Sequence, residues 1–264
     1  MGARVVTVTS GKGGVGKTTT TANISVALSR LNQRVVMLDA DIGLRNLDVV
    51  TGLENRIVYD IVDVVEGRCN LRQALIKHKQ FPSLYLIPAA QTRDKTAISP
   101  ADMLDIVAKL KPEFDFVIID SPAGIERGFR NAIAPADEVL IVTNPEVSAV
   151  RDADRIIGLL EAENKQPGKL VINRLKPDMV KKGEMLSADD ITDILALDII
   201  GIVPEDEFVI PASNSGVPVT LNEDSKAGLA FQNIARRLLG ENVPLMDLEQ
   251  QPGFFRRLVK LFNG

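Results

Sequence analysis

Tryptophan is absent, tyrosine occurs twice and aromatic residues make up 4% of the 264-residue chain. The aromatic platforms on which single-stranded nucleic-acid bases stack are therefore scarce. Cysteine occurs once, at Cys69. That excludes an intrachain disulfide and a four-cysteine cluster, including one shared across a symmetric dimer, and it fits a reducing compartment. No apolar run approaches the ~20 residues that cross a bilayer. The amino terminus enters the β-like "RVVTVTS" almost at once. It leaves no room for a signal or transit peptide, so a cytoplasmic location is expected. The net charge is −4, the wrong sign for a general nucleic-acid binder, and no specific nucleic-acid partner is expected.

What is present suits a packed domain: 45% hydrophobic and 25% charged residues. Strands are predicted over Arg4–Thr9, Arg34–Asp39, Leu84–Pro88, Phe116–Asp120, Glu138–Thr143, Lys169–Asn173 and Ile199–Val203. Most read as continuous apolar runs, as strands covered on both faces do. Helical patterns lie between them over Thr18–Leu31, Pro100–Leu110, Val150–Ala162, Ser187–Leu195 and Lys226–Leu239. This alternation predicts an α/β fold, a doubly wound, mostly parallel sheet flanked by helices. One domain is expected over residues 1–240, an acidic linker with Pro244 over 241–251, and a separate tail over 252–264.

The stretch "GKGGVGKT", Gly11 to Thr18, matches the phosphate-loop pattern G-x-x-x-x-G-K-[ST] between an apolar strand and a helix. Its glycines let the backbone curl so that successive N–H groups meet phosphate oxygens, and the following helix adds its positive end. On this reading Lys17 reaches the β- and γ-phosphates and the Thr18 hydroxyl binds Mg²⁺, which makes ATP and Mg²⁺ the expected cofactors. Asp120, closing "FVIID", stands where a Mg²⁺-water ligand belongs. Gly124 in "SPAGIE" tolerates the dihedral changes of a switch near a γ-phosphate. In "DADIGLRNLD", Asp41 is the candidate to orient or deprotonate the attacking water, and Asp39 is a second carboxylate near the metal. An acidic loop with Asx turns is the plainer alternative for both. The motif needs one lysine, yet this loop has a second, Lys12.

"KGGVGKT" resembles the deviant phosphate loop of the ParA/MinD family of P-loop ATPases. The stretches "DADIGLRNLDVVTGLENR", "LIPAAQTRDK", "DSPAGIERG" and "TNPEVSAVRDADRIIGLL" resemble its septum-site-determining MinD branch, from about residue 3 to the carboxyl terminus. The resemblance implies that Lys12 reaches across a homodimer interface to the phosphates held by the partner, where a cation stabilises transition-state charge. It implies that Gly11, Lys12, Gly13, Gly14, Val15, Gly16, Lys17, Thr18 and Thr19 bind nucleotide, and that Asp41 and Asp120 are switch carboxylates. Asn173 in "VINR" would read the adenine ring, with Pro204 and Asp206 of "VPED" closing that pocket. Glu146 and Asp152 stand where the family has acids that pair with the signature lysine. The resemblance further implies recruitment of the division inhibitor MinC, stimulation by MinE, and placement of the division site.

The tail "PGFFRRLVKLFN" can be tested on a helical wheel. With Phe254 at zero and ~100° per residue, Leu258, Phe262, Phe255, Val259 and Leu261 share an arc of about 160° with it. Arg256, Arg257 and Lys260 fall on the opposite arc. The tail carries three positive charges, so residues 1–251 carry −7 between them. Such a helix lies in the interface of an anionic bilayer. The plainer alternative is a helix docked on the protein's own core, against which the acidic linker and the basic face argue. The expected protein is thus a C-terminally anchored, peripheral membrane ATPase on the cytoplasmic face, paired when ATP is bound. The alternative is a ParA-type DNA-partition ATPase, which predicts a basic surface and no such tail. An iron–sulfur carrier predicts more cysteine, and a nucleotide-sensing scaffold would bind ATP without cleaving it.

Overall fold

The computed structural model describes residues 2–165, 168–246 and 248. Eight strands, β1 Arg4–Thr9, β2 Val35–Asp39, β3 Ile76–Lys77, β4 Leu84–Ile87, β5 Phe116–Asp120, β6 Glu138–Thr143, β7 Lys169–Leu175 and β8 Ile199–Pro204, form one sheet. Their order is β3-β4-β2-β5-β1-β6-β7-β8. Every pairing is parallel except β3–β4, an antiparallel edge. The mostly parallel, doubly wound sheet expected from the sequence is what forms.

Continuous apolar runs become strands here because helices cover both faces. Val6 and Val8 of β1 point into a cluster completed by helices Lys17–Arg30 and Lys226–Leu238. Val5, one residue out of phase, joins Val36, Leu38 and Ile119 under helix Pro100–Leu110. On that same face, Val139 and Ile141 of β6 meet Ala153 and Ile156 of helix Val147–Ala162. Helix starts follow local chemistry: Ser99 and Asp102 bond each other's main chain in a capping box, with Pro100 at the first helical position.

The order of strands places the site. β1 sits between β5 and β6, so the chain leaves β1 toward β2 on one side and later crosses to β6 on the other. The crevice at the carboxyl ends of β1, β5 and β6 is therefore the topological switch point, where parallel α/β sheets hold their ligands.

The residues after 240 are held to the body as far as they are described. The Arg237 guanidinium donates to three carbonyls: Ile200 at 2.8 Å, Val243 at 2.9 Å and Pro244 at 2.6 Å. Met246 and Leu248 then pack against the apolar clusters beside β8, which covers part of that edge strand. The tail residues Phe254, Phe255, Arg256, Arg257, Leu258, Val259, Lys260, Leu261 and Phe262 lie outside the described residues. Among the described residues, no helix is long and apolar enough to cross a membrane.

Candidate active site

β1 ends at Thr9 and the next helix begins at Lys17; the seven residues between them make the curl. Gly14 and Gly16 take left-handed dihedrals, φ 78° and 100°, which an L side chain resists. Close approach adds a second demand. A Cβ on Gly16 would stand 2.3 Å from Asn173 Nδ2, and one on Gly11 would stand 2.1 Å from the Asp152 carbonyl oxygen. Gly16 offers no capping side chain to the helix behind it, so the first-turn N–H groups keep their donors for an anion. Ser10 braces the loop from below: its hydroxyl donates to the Lys12 carbonyl at 2.8 Å, and its own carbonyl accepts from Gly124 N at 3.1 Å.

The two lysines of the loop part company. Lys17 is 8% exposed. Burial lowers its pKa, while the carboxylates of Asp120 and Asp41 pull it back up. The Lys12 side chain is 42% exposed and turns away along the surface. Its ammonium donates to Glu146 Oε2 and to Ser148 Oγ, each at 3.2 Å. Asp152, the other acid expected near Lys12, is placed differently. Its carboxylate takes Arg155 at 3.4 Å and its main chain abuts Gly11.

Two carboxylates stand side by side across β2 and β5, Asp39 in register with Asp120. Asp120 accepts from Thr18 Oγ1 at 2.7 Å and from Thr21 Oγ1 at 3.1 Å. Burial pushes its pKa up to about 6 against the pull of those hydroxyls and Lys17. Asp39 accepts from Asp41 N at 3.0 Å and Leu47 N at 3.3 Å. Burial, reinforced by the Asp120 charge, pushes Asp39 up to about 8. Asp39 thus pins both ends of the segment that carries Asp41, and Asp41 lies half-buried at the head of that segment.

On the other side of the loop, a cleft is lined by Gly16, Thr19, Asn173, Pro204, Asp206 and Phe231, among others. Asn173 Nδ2 donates to the Val15 carbonyl at 2.7 Å, so this amide holds the loop as well as facing the cleft. Asp206 lines the cleft but is bound elsewhere. It accepts from Ser225 Oγ at 2.8 Å, Ala227 N at 3.0 Å and Phe208 N at 3.0 Å. Burial works against its ionisation, and these donors outweigh it to hold the pKa low. Sequence reasoning missed Thr21, Ser148 and Asn144. The signal for Asn144 was available, since "VTN" and "VIN" end adjacent strands alike.

Lys17, Thr18, Asp39, Asp41 and Asp120 are therefore brought together beside the glycines of the loop. Gly16, Thr19, Asn173, Pro204 and Asp206 line the cleft on the far flank, while the Lys12 side chain lies along the surface on Glu146 and Ser148. Comparison with known proteins identifies the family. A family described as an AAA domain matches residues 3–171. The septum site-determining protein MinD of Bacillus subtilis is 56% identical over 266 aligned residues, spanning 100% of this chain and 99% of its own. The MinC:MinD cell division complex of Aquifex aeolicus superposes with a TM-score of 0.87 at 51% identity, over 93% of this chain and 99% of its own. MinD of Pyrococcus horikoshii, complexed with Mg-ADP, gives 0.82 at 27% identity, over 91% and 100%. With the phosphate loop, the switch-point crevice and full-length identity all in agreement, the chain belongs to the MinD family of septum-site-determining P-loop ATPases.

Proposed function

We propose that this ATPase is a nucleotide-driven membrane switch. Two Mg-ATP-loaded copies pair face to face, and each lends its Lys12 to the nucleotide of the other. The pair docks on the cytoplasmic face of the membrane through two tails, residues 252–264, and hydrolysis returns it to single copies that leave. The observation that carries this reading is the separation of the lysines: Lys17 is buried under the loop, while Lys12 stays at the surface on Glu146 and Ser148. A cation held at the surface is available to a second copy.

The donor set fits Mg²⁺. Thr18 and the neighbouring acids Asp39 and Asp120 would offer it hard oxygen donors, as suits an ion that keeps waters and takes its remaining ligands from phosphate. The Thr18 hydroxyl donates its hydrogen bond to Asp120, which leaves its oxygen lone pairs for a cation. Bound ATP supplies the β–γ bond that is cleaved. Lys17 neutralises phosphate charge, the N–H groups behind Gly16 orient it, and Asp41 positions or deprotonates the attacking water. Asp39 and Asp120, crowded and buried, gain a counter-charge when the metal binds. Asn173, Pro204 and Asp206 frame the base.

A helix of about 12 residues is marginal in water and binds lipid weakly alone. Two on one dimer raise avidity ~10²–10⁴-fold through effective concentration, so pairing itself becomes recruitment. The Aquifex complex supports MinC as a partner, and the family likeness supports MinE as the stimulator. The chain thereby takes part in placing the division site. Sedimentation with anionic liposomes tests the scheme. Binding is expected with ATP, not with ADP, and not after removal of residues 252–264. Lipid binding indifferent to both nucleotide and tail would overturn it.

A further inference from the structure

We propose that Asn144 is a positioning residue of the nucleotide site: together with Asn173 it pins the Val15 carbonyl and so aims the phosphate-binding amide of Gly16. The inference rests on the nucleotide reading above. Asn144 follows β6 directly, and Asn173 lies toward the end of β7. The register pairs Thr143 with Ile172, so the two asparagines are neighbours. Turned so that both atoms of its amide meet complementary groups, Asn144 donates to the carbonyl oxygens of Val15 and Asn173, each at 3.2 Å. Asn173 Nδ2 donates to the same Val15 oxygen at 2.7 Å. One carbonyl thus receives two side-chain donors, which fills both of its lone pairs.

The consequence follows from peptide geometry. In a trans peptide the C=O and the N–H point in opposite directions. Fixing the Val15 oxygen into the protein therefore turns the Gly16 N–H the other way, out toward the crevice. Val15, Asn144 and Asn173 are 2%, 7% and 6% exposed, so the two amides, rather than bulk water, satisfy the Val15 oxygen in the folded chain. Asn144 is itself fixed: its carbonyl accepts from Glu146 N at 2.8 Å and Thr143 Oγ1 at 3.3 Å. Glu146 in turn holds Lys12. One turn, Asn144 to Glu146, therefore grips the phosphate loop at its floor and at its tip. Asn173 is bonded by Asn144 through its main chain, which ties the spacing of the base cleft to that of the phosphate cradle.

The test is calorimetric titration of the full chain with Mg-ADP and with tripolyphosphate, which has no base. Wild type, Asn144→Ala, Asn173→Ala and the double variant are compared, with apo thermal midpoints recorded alongside. Asn144→Ala is expected to weaken both ligands on the order of tenfold, as loss of hydrogen bonds in a buried network does. The double variant should lose more than the product of the single factors, because only then is the Val15 carbonyl left with no donor. A purely structural asparagine would lower the thermal midpoint and leave the ligand factors multiplicative. Unchanged tripolyphosphate binding in Asn144→Ala, multiplicative factors, or a wild type that takes ADP but not tripolyphosphate would each overturn the positioning role. A wild type that takes neither ligand would instead sink the nucleotide reading. Should Asn144→Ala not fold, Asn144→Ser removes the same reach with a smaller disturbance and carries the same outcomes.

Discussion

The two flanks of the phosphate loop are built from different chemistry. Toward β5 and β2 the strand ends carry acids, Asp120 and Asp39, with Asp41 just beyond. Toward β6 and β7 they carry neutral amides, Asn144 and Asn173. Both flanks are buried, and both bond the loop or its helix. On the acid flank, burial disfavours the charged carboxylates, so a divalent cation bound there would be drawn to the pair by supplying the missing counter-charge. On the amide flank, burial makes hydrogen bonds directional without adding charge next to phosphate. Under the proposed function the difference amounts to a division of labour: the acid flank would do the chemistry and the amide flank would hold shape. Variants of the two flanks should therefore fail in different parameters.

The largest separation is expected for Asp41→Ala. Loss of a group that orients or deprotonates water lowers turnover by roughly 10²–10⁴-fold, while Mg-ADP affinity stays within about twofold, since Asp41 is assigned to the water and not to the diphosphate. Steady-state hydrolysis beside ADP titration reads both. Asn173→Ala should do the reverse, with affinity falling and saturated turnover held. Equal losses in both parameters for either variant would break the comparison.

A smaller effect, from the loop itself, is expected for Gly16→Ala. The new Cβ meets the Asn173 amide at 2.3 Å, and the residue sits at φ 100°. Strain of this kind amounts to about 1–3 kcal/mol, enough to weaken nucleotide binding on the order of tenfold or more. Pairing Gly16→Ala with Asn173→Ala sharpens the point. Removing the amide relieves the clash, so the second substitution should damage binding less in that background than alone. Gly14 has the positive φ, but a methyl there would meet nothing within 4 Å; Gly14→Ala should show strain without that rescue.

The strand positions, the parallel sheet class and the phosphate loop were legible because their signals are local. A buried parallel strand is an unbroken apolar run, as "FVIID" shows, and a phosphate loop has fixed spacing. What was not legible depends on distant partners. Strand β3 is two residues long and exists only as an antiparallel partner of β4. Helix Val147–Ala162 starts three residues earlier than the apolar pattern from Val150 suggests, immediately after Pro145 and Glu146. The motif "VPED" suggests Asp206 as a wall of the base pocket. Its carboxylate is spent on Ser225 and Ala227, about twenty residues away, at the start of helix Lys226–Leu238. Asn144, between a strand and a proline, is marked only by the likeness of "VTN" to "VIN". Its role emerges only once β6 and β7 are side by side.

The smallest expected effect is a pH dependence that belongs to the acid flank alone. Asp39 is pushed up to about 8 and Asp120 to about 6, both above the ordinary carboxylate value near 4. The folded state therefore binds more protons than the unfolded one between about pH 4 and about pH 8, and stability falls as pH rises through that window. In EDTA and without nucleotide, the thermal midpoint should drop by a few degrees from pH 6 to pH 9, on the scale of about 2–4 °C per kcal/mol for a chain of this size. Asp39→Asn removes the proton uptake and should flatten most of the slope. Mg-ADP should flatten it too, by supplying a counter-charge to the ionised pair. Asn144→Ala and Asn173→Ala should leave it as steep as in the wild type. His78 acts at the other end of the scale. Burial lowers its pKa, and its Nδ1 accepts from Gln80 N at 3.1 Å and Phe81 N at 3.3 Å. The folded state therefore resists protonating it, and stability is lost as pH falls below the ordinary histidine value near 6.5. A midpoint that keeps rising from pH 6 to pH 9 in EDTA would show that Asp39 and Asp120 are ionised without a metal, and the contrast between the flanks would lose its electrostatic basis.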